Sequence, residues 1–153
     1  HDQINRVAAA VALLAAEGAE ALIHCGDLTS PEVVHAVAGP GLACHYVLGN
    51  NDFDLDGIER AVIATGGTMH GWAGEIEWFG RRIAVTHGHI TTEFRRLLKS
   101  EPDYLLFGHT HQPLDERDGA IRQINPGALH RAKDWTVAML NLESDVVDFH
   151  RVR

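Results

Sequence analysis

The apolar positions of this chain switch between two spacings. Ile4, Val7, Val11 and Leu14 recur every three or four residues up to Gly18, which predicts an amphipathic helix that Asp2 can cap. Residues 21–25, Ala-Leu-Ile-His-Cys, then form a short continuous apolar run, the signature of a buried strand, stopped by Gly26-Asp27. Ser30-Pro31 reads as a helix start, with Ser at the N-cap and Pro at the first helical position, leading to Val37 before Gly39-Pro40. Residues 42–48 predict a second strand, stopped by Gly49-Asn50-Asn51-Asp52, and residues 57–64 a short helix ending at Gly66-Gly67. Strand and helix in alternation imply a parallel sheet with right-handed crossovers.

The second half changes rhythm. Residues 75–79 and 81–85 flank Gly80 and predict a hairpin whose later strand runs into Thr86-His87-Gly88-His89. Thr91 or Thr92 is placed to cap a helix with Phe94, Leu97 and Leu98 on one face. A strand over 104–107, a turn at Asp118-Gly119, a strand over 120–124 and a loop at Asn125-Pro126-Gly127 follow. Residues 135–142 and 146–152 close as a final hairpin around Glu143-Ser144-Asp145. The expected fold class is α/β: two packed mixed β-sheets flanked by helices, an α/β/β/α sandwich, in a single domain over 1–153. An α/β chain ordinarily opens on a strand. This one opens on a helix, so the expectation is a sandwich lacking its first strand.

Composition narrows the partners. The 153 residues are 45% hydrophobic, enough for one substantial core, and no run approaches the roughly 18 apolar residues of a membrane span. A formal charge of −8 argues against an extended nucleic-acid surface or binding to anionic membranes through a basic face. Cys25 and Cys44, the two cysteines, both sit in strand-like runs and read as buried reduced thiols of a cytoplasmic protein.

The candidate chemistry lies where the strands stop. Gly108-His109-Thr110-His111 puts two imidazoles at the end of the run Tyr104-Leu105-Leu106-Phe107, and Asp27, Asn50 and His87 end other strands. Sites in open α/β sheets form at the carboxyl ends of strands. A mixture of carboxylate, carboxamide and imidazole suits divalent cations such as Mn²⁺, Fe²⁺, Ni²⁺ or Zn²⁺ better than a structural thiolate site does. His1 is a further candidate ligand. Each fragment alone is an ordinary turn; the ordered set is not.

That ordered set resembles the calcineurin-like metallophosphoesterases, and most closely their small YfcE-type phosphodiesterases. The matching pieces are His1, Gly26-Asp27, Gly49-Asn50-Asn51-Asp52, His87 and Gly108-His109-Thr110-His111. The resemblance implies two divalent metals bridged by Asp27, manganese first, with nickel, iron, zinc or magnesium as alternatives. One metal would take His1, Asp27 and His111; the other Asp27, Asn50, His87 and His109. It implies hydrolysis of a small phosphodiester or phosphate ester by a hydroxide bridging the two ions, without a nucleophilic Ser or Cys.

Two departures from the family pattern follow. Asn51 stands where many members carry a His that assists the leaving group. An amide can polarise but cannot donate a full proton, so diesters or activated aryl esters are the expected substrates. His89 is the nearest substitute acid, against a supporting or solvated role. The Asp expected two residues before His1 is absent, which weakens the His1 metal; a free N-terminal His also admits a copper redox site. Arg131 is a candidate phosphate contact, and His24 either orients a ligand or packs in its strand. The remaining histidines, His35, His45, His70, His130 and His150, read as structural or solvated. The strand face around 75–79 offers a homodimer contact. The alternative function is a non-catalytic protein-binding scaffold on the same fold, as in the retromer scaffold subunit. A mononuclear metallohydrolase of amides or lactones fits Gly-Asn-Asn-Asp less well.

Overall fold

Residues 3–153 are described by a computed structural model. Asp2, read as the first helix cap, and His1, read as a metal ligand, lie outside the described residues. Helix α1 (Ile4–Ala16) has Gln3 in the capping position, with no side-chain cap, and turns Val7, Ala10 and Val11 inward. Strand β1 (Ala21–His24), helix α2 (Pro31–Ala38), strand β2 (Ala43–Tyr46), helix α3 (Leu55–Ala64) and the two-residue β3 (Thr68–Met69) follow. They build a parallel sheet in the order β1-β2-β3. Ser30 occupies the α2 cap position without making a capping hydrogen bond, whereas the Asp54 side chain accepts the Gly57 amide at the start of α3.

The second sheet has five strands in the order β4-β5-β6-β8-β7. It comprises β4 (Ala73–Trp78), β5 (Arg81–Thr86), β6 (Tyr104–Leu106), β7 (Leu114–Asp118) and β8 (Ile121–Asn125), with α4 (Thr91–Lys99) between β5 and β6. The sheet is mixed: β4 and β7 are antiparallel to their neighbours, and β5, β6 and β8 run parallel. Neither threonine caps α4; Ile90 precedes it in extended conformation and Thr91 is its first residue. Strands β9 (Thr136–Asn141) and β10 (Val146–Arg151) pair as the final hairpin.

Three apolar clusters set the layers. Val7, Val11, Val33, Val37, Ile58 and Val62 of the first three helices pack on Leu22, Cys44 and Tyr46. Ile23 and Val47 face the other way, meeting Ile83, Val85, Tyr104 and Ile124 together with Ala138, Leu140 and Val147 of the last hairpin. Ala84 and Leu105, on the opposite face of β5 and β6, pack against Leu97 and Phe94 of α4. The period-2 alternation along β5 and β6 thus feeds two cores at once. The result is the expected sandwich: helices, parallel sheet, mixed sheet, helix.

Candidate functional site

The site forms because both sheets end on the same edge. His24 of β1 is followed by Cys25-Gly26-Asp27, and β2 by Val47-Leu48-Gly49-Asn50; β5 leads into His87, and β6 into Phe107-Gly108-His109. The Gly108 amide donates to the His87 carbonyl at 3.1 Å, tying two of these exits together. Left-handed backbone appears at Asp27 (φ 59°), His109 (φ 66°) and His111 (φ 59°), a conformation that costs energy for any side chain but glycine. Gly108 itself is needed for space, since a Cβ there would stand 3.0 Å from the Cys25 carbonyl. Gly26 and Gly49 are more demanding still. A Cβ on Gly26 would lie 2.7 Å from His87 Nδ1, and one on Gly49 would run into the Asp27 carboxylate.

Four predicted ligands converge. Asn50 Oδ1 lies 3.0 Å from His87 Nε2 and 3.1 Å from His109 Nδ1, and Asp27 Oδ1 lies 3.4 Å from His87 Nε2. His87 Nδ1 is 2.7 Å from the Cys25 carbonyl, which can only accept. That nitrogen therefore carries the ring proton, and Nε2 turns its lone pair toward the Asp27 and Asn50 oxygens. Burial lowers the His87 pKa, which favours this neutral form. Electron-pair donors facing one another across about 3 Å are the arrangement a divalent cation satisfies, and the donor types fit one. Among the described residues, no group of three or more His, Cys, Asp or Glu side chains is placed to hold a metal ion; the convergence is centred on the Asn50 carboxamide oxygen.

Asp27 is held from the far side. Its carboxylate accepts the Asn51 amide at 2.9 Å and the Asn51 side-chain NH₂ at 2.7 Å. Burial alone would raise its pKa; those two hydrogen bonds and nearby His87 outweigh burial and hold the carboxyl below its ordinary value. Asn51, expected near a leaving group, is thus engaged with the candidate bridging carboxylate. His89 is close: its ring centroid is 5.2 Å from that of His87 and 6.2 Å from that of His109. Its Nδ1 is buried with no hydrogen-bond partner among the described residues, and burial lowers its pKa.

His111 is not drawn into the Asn50 group. It lines a cavity of about 200 Å³ together with His24, Asp27, Pro126 and apolar residues of α1 and β9. Its Nδ1 lies 3.5 Å from the carbonyl of Arg131. Arg131 itself is not among the residues that line the cavity; it reaches His111 only through its backbone carbonyl, on a left-handed φ of 46°, with an exposed side chain. His24 sits in the wall of that cavity with its Nδ1 buried and, among the described residues, unpartnered. Away from the site, His45 and His70 are bonded to each other, Nδ1 to Nε2 at 3.0 Å.

Two supporting residues escaped the sequence reading. Asp52 is buried and accepts three amides, from Asp27 (3.1 Å), Thr29 (2.6 Å) and Gly49 (2.7 Å), so it fastens the β1 exit to the β2 exit. Desolvation raises its pKa despite those donors. Asn125, fully buried, donates to the Gly108 carbonyl at 2.8 Å and to Thr110 Oγ1 at 3.1 Å, and accepts the Gly127 amide at 3.0 Å. Each lay inside a stretch read as a turn, where no sequence pattern marks a polar side chain as inward-facing.

Sequence and structure relate the chain to known proteins. The description of the calcineurin-like phosphoesterase superfamily domain matches residues 1–145. A probable metallophosphoesterase of Methanothermobacter thermautotrophicus is 31% identical over 142 residues, covering 88% of this chain and 76% of its own. A solved archaeal phosphodiesterase superposes with a TM-score of 0.91 at 23% identity, covering 99% of this chain and 94% of its own. The phosphoesterase YfcE of E. coli superposes at 0.68 with 19% identity, covering 100% and 95%. These last two share the fold.

Proposed function

The chain belongs to the calcineurin-like phosphoesterase superfamily, and from that premise we propose that it is a dinuclear metal-dependent phosphodiesterase acting on small phosphate esters. The observation that carries this reading is the convergence of Asp27, Asn50, His87 and His109 on one point from four strand ends. Asp27, Asn50, His87 and His109 would hold one cation; Asp27 and His111, with His1, would hold the second. Such cations, when bound, supply an activated water nucleophile and neutralise the charge on the phosphoryl oxygens.

The protein's own residues have separable duties. Asp52 and Asn125 hold the loops that present the donors, so little motion is needed to assemble the site. The proton on His87 Nδ1, fixed by the Cys25 carbonyl, keeps Nε2 as a donor of electrons. Asn51 polarises and restrains Asp27 rather than protonating a leaving group. His89 is the remaining side chain at the cluster able to give a proton to a departing oxygen, and its lowered pKa leaves it mostly neutral at pH 7. Substrates with good leaving groups suit that arrangement.

The test is metal content and hydrolysis of bis(4-nitrophenyl) phosphate across Mn²⁺, Ni²⁺, Zn²⁺ and Mg²⁺, for the wild type, His109→Ala and His111→Ala. Each variant is expected to lose one cation and about 10²-fold or more in kcat. Fully metallated protein that hydrolyses no phosphodiester would overturn the reading in favour of a binding scaffold.

A further inference from the structure

A second, more open cleft of about 290 Å³ is lined in part by His109 of the donor cluster, but not by Asp27, Asn50 or His87. Its lining is Gly88, Thr91, Phe94, Phe107 and the Gly108-His109-Thr110 turn. Phe94 and Phe107 meet edge to face, with centroids 5.3 Å apart and an interplanar angle of 88°. Gly88 has a left-handed φ of 103°, and a Cβ built on it would enter between Phe107 and His109, 3.7 and 3.8 Å from their side chains.

We infer that this cleft receives a planar aromatic group carried on the phosphate ester, so that the substrate class is aryl or nucleoside phosphodiesters rather than alkyl ones. The inference rests on the phosphoesterase reading above and deepens it. One wall, His109, also belongs to the donor cluster, so a phosphoryl group bound at the cluster directs its substituent into the cleft. The space exceeds the roughly 150 Å³ that accommodates benzene in an apolar protein cavity. Both rings of the perpendicular phenyl pair line the cleft, so an entering ring meets aromatic carbon. Among the described residues no Lys, Arg, Asp or Glu lines it, so an ammonium group finds no carboxylate partner there. The Thr110 oxygen accepts from Asn125, so the hydroxyl protons of Thr91 and Thr110 and the His109 ring are the polar groups along the cleft.

Two experiments on the whole chain, supplied with Mg²⁺, test this. Phenyl phosphonate, methyl phosphonate and adenosine 5′-monophosphate are titrated while the amide signals of Thr91 and Phe94 are followed. Phenyl phosphonate or the nucleotide is expected to shift both signals and methyl phosphonate neither; the nucleotide alone doing so assigns the cleft to a nucleobase. Ligands that bind without moving Thr91 or Phe94 overturn the inference. Kinetically, Thr91→Trp fills the mouth from an exposed helix position and should raise KM for bis(4-nitrophenyl) phosphate about tenfold. KM for glycerophosphoethanolamine should stay within about twofold, and Phe94→Leu should raise the aryl KM about threefold. Both substrates responding alike, or neither responding, overturns the inference. Absence of all turnover would defeat the phosphodiesterase reading instead, and the titration would still decide the cleft.

Discussion

His24 pays for its position with its basicity. Desolvation drops its pKa from 6.5 to about 4, and its buried Nδ1 has no partner among the described residues. An imidazole that titrates lower folded than unfolded takes up a proton on unfolding. Its stabilising contribution is therefore complete above about pH 6.5 and is lost as pH falls toward about 4, on the order of 2–3 kcal/mol over the interval. His45, His70, His87, His89 and His130, all lowered chiefly by burial, act in the same direction; Asp52, raised by burial, opposes them. The decisive measurement is thus a difference: urea unfolding of metal-free wild type and His24→Gln at pH 7.5 and 4.5. The variant should lose less stability across the interval, and an unchanged pH slope would refute the assignment. At this scale the sequence was legible for Asp27, Asn50, His87 and His109, because each follows an apolar run that stops. It was silent on Asp52 and Asn125, because the inward turn of a loop side chain leaves no periodicity.

Elements with strong alternation or punctuation were legible, and polar edges were not. Gly80 announced the β4–β5 hairpin, and Phe79 and Gly80 do take the two positive φ values, 49° and 70°, of a two-residue turn. Strand β7, Leu-Asp-Glu-Arg-Asp, carries no apolar alternation, since it is an edge strand exposed over most of its length. What holds it is Arg122 of β8. Its guanidinium meets both Asp115 oxygens at 2.7 Å and Asp145 Oδ1 at 2.7 Å, clamping β7 and the β9–β10 turn to the sheet. Arg122 is 13% exposed, which places this network between a surface pair and a buried one. Arg122→Met should cost about 1–3 kcal/mol and speed amide exchange in β7 while leaving β6 protected. Uniform acceleration across β6 and β7 would mean that the clamp is not local.

Across the whole molecule the donors divide by layer. Asp27 and Asn50 come from exits of the parallel sheet, His87 and His109 from exits of the mixed sheet. The order of these residues along the chain was readable, but the β6-β8-β7 pairing that aligns the second layer depends on register between polar strands, which no local pattern encodes. Because the ligands straddle the interface, a bound cation would bridge the two layers and bind the folded state far better than the unfolded one. Mn²⁺ at 100 times its dissociation constant should then add about 2.7 kcal/mol, or roughly 5–10 °C in Tm for a domain of this size. Chelator should reverse the gain, and His109→Ala should abolish most of it. Arg122→Met, which loosens only an edge, should start from a lower Tm yet show the same increment. If His109→Ala kept the full increment, the cation would be binding elsewhere, and the two layers would owe their alignment to the Ile83, Val85 and Tyr104 core alone.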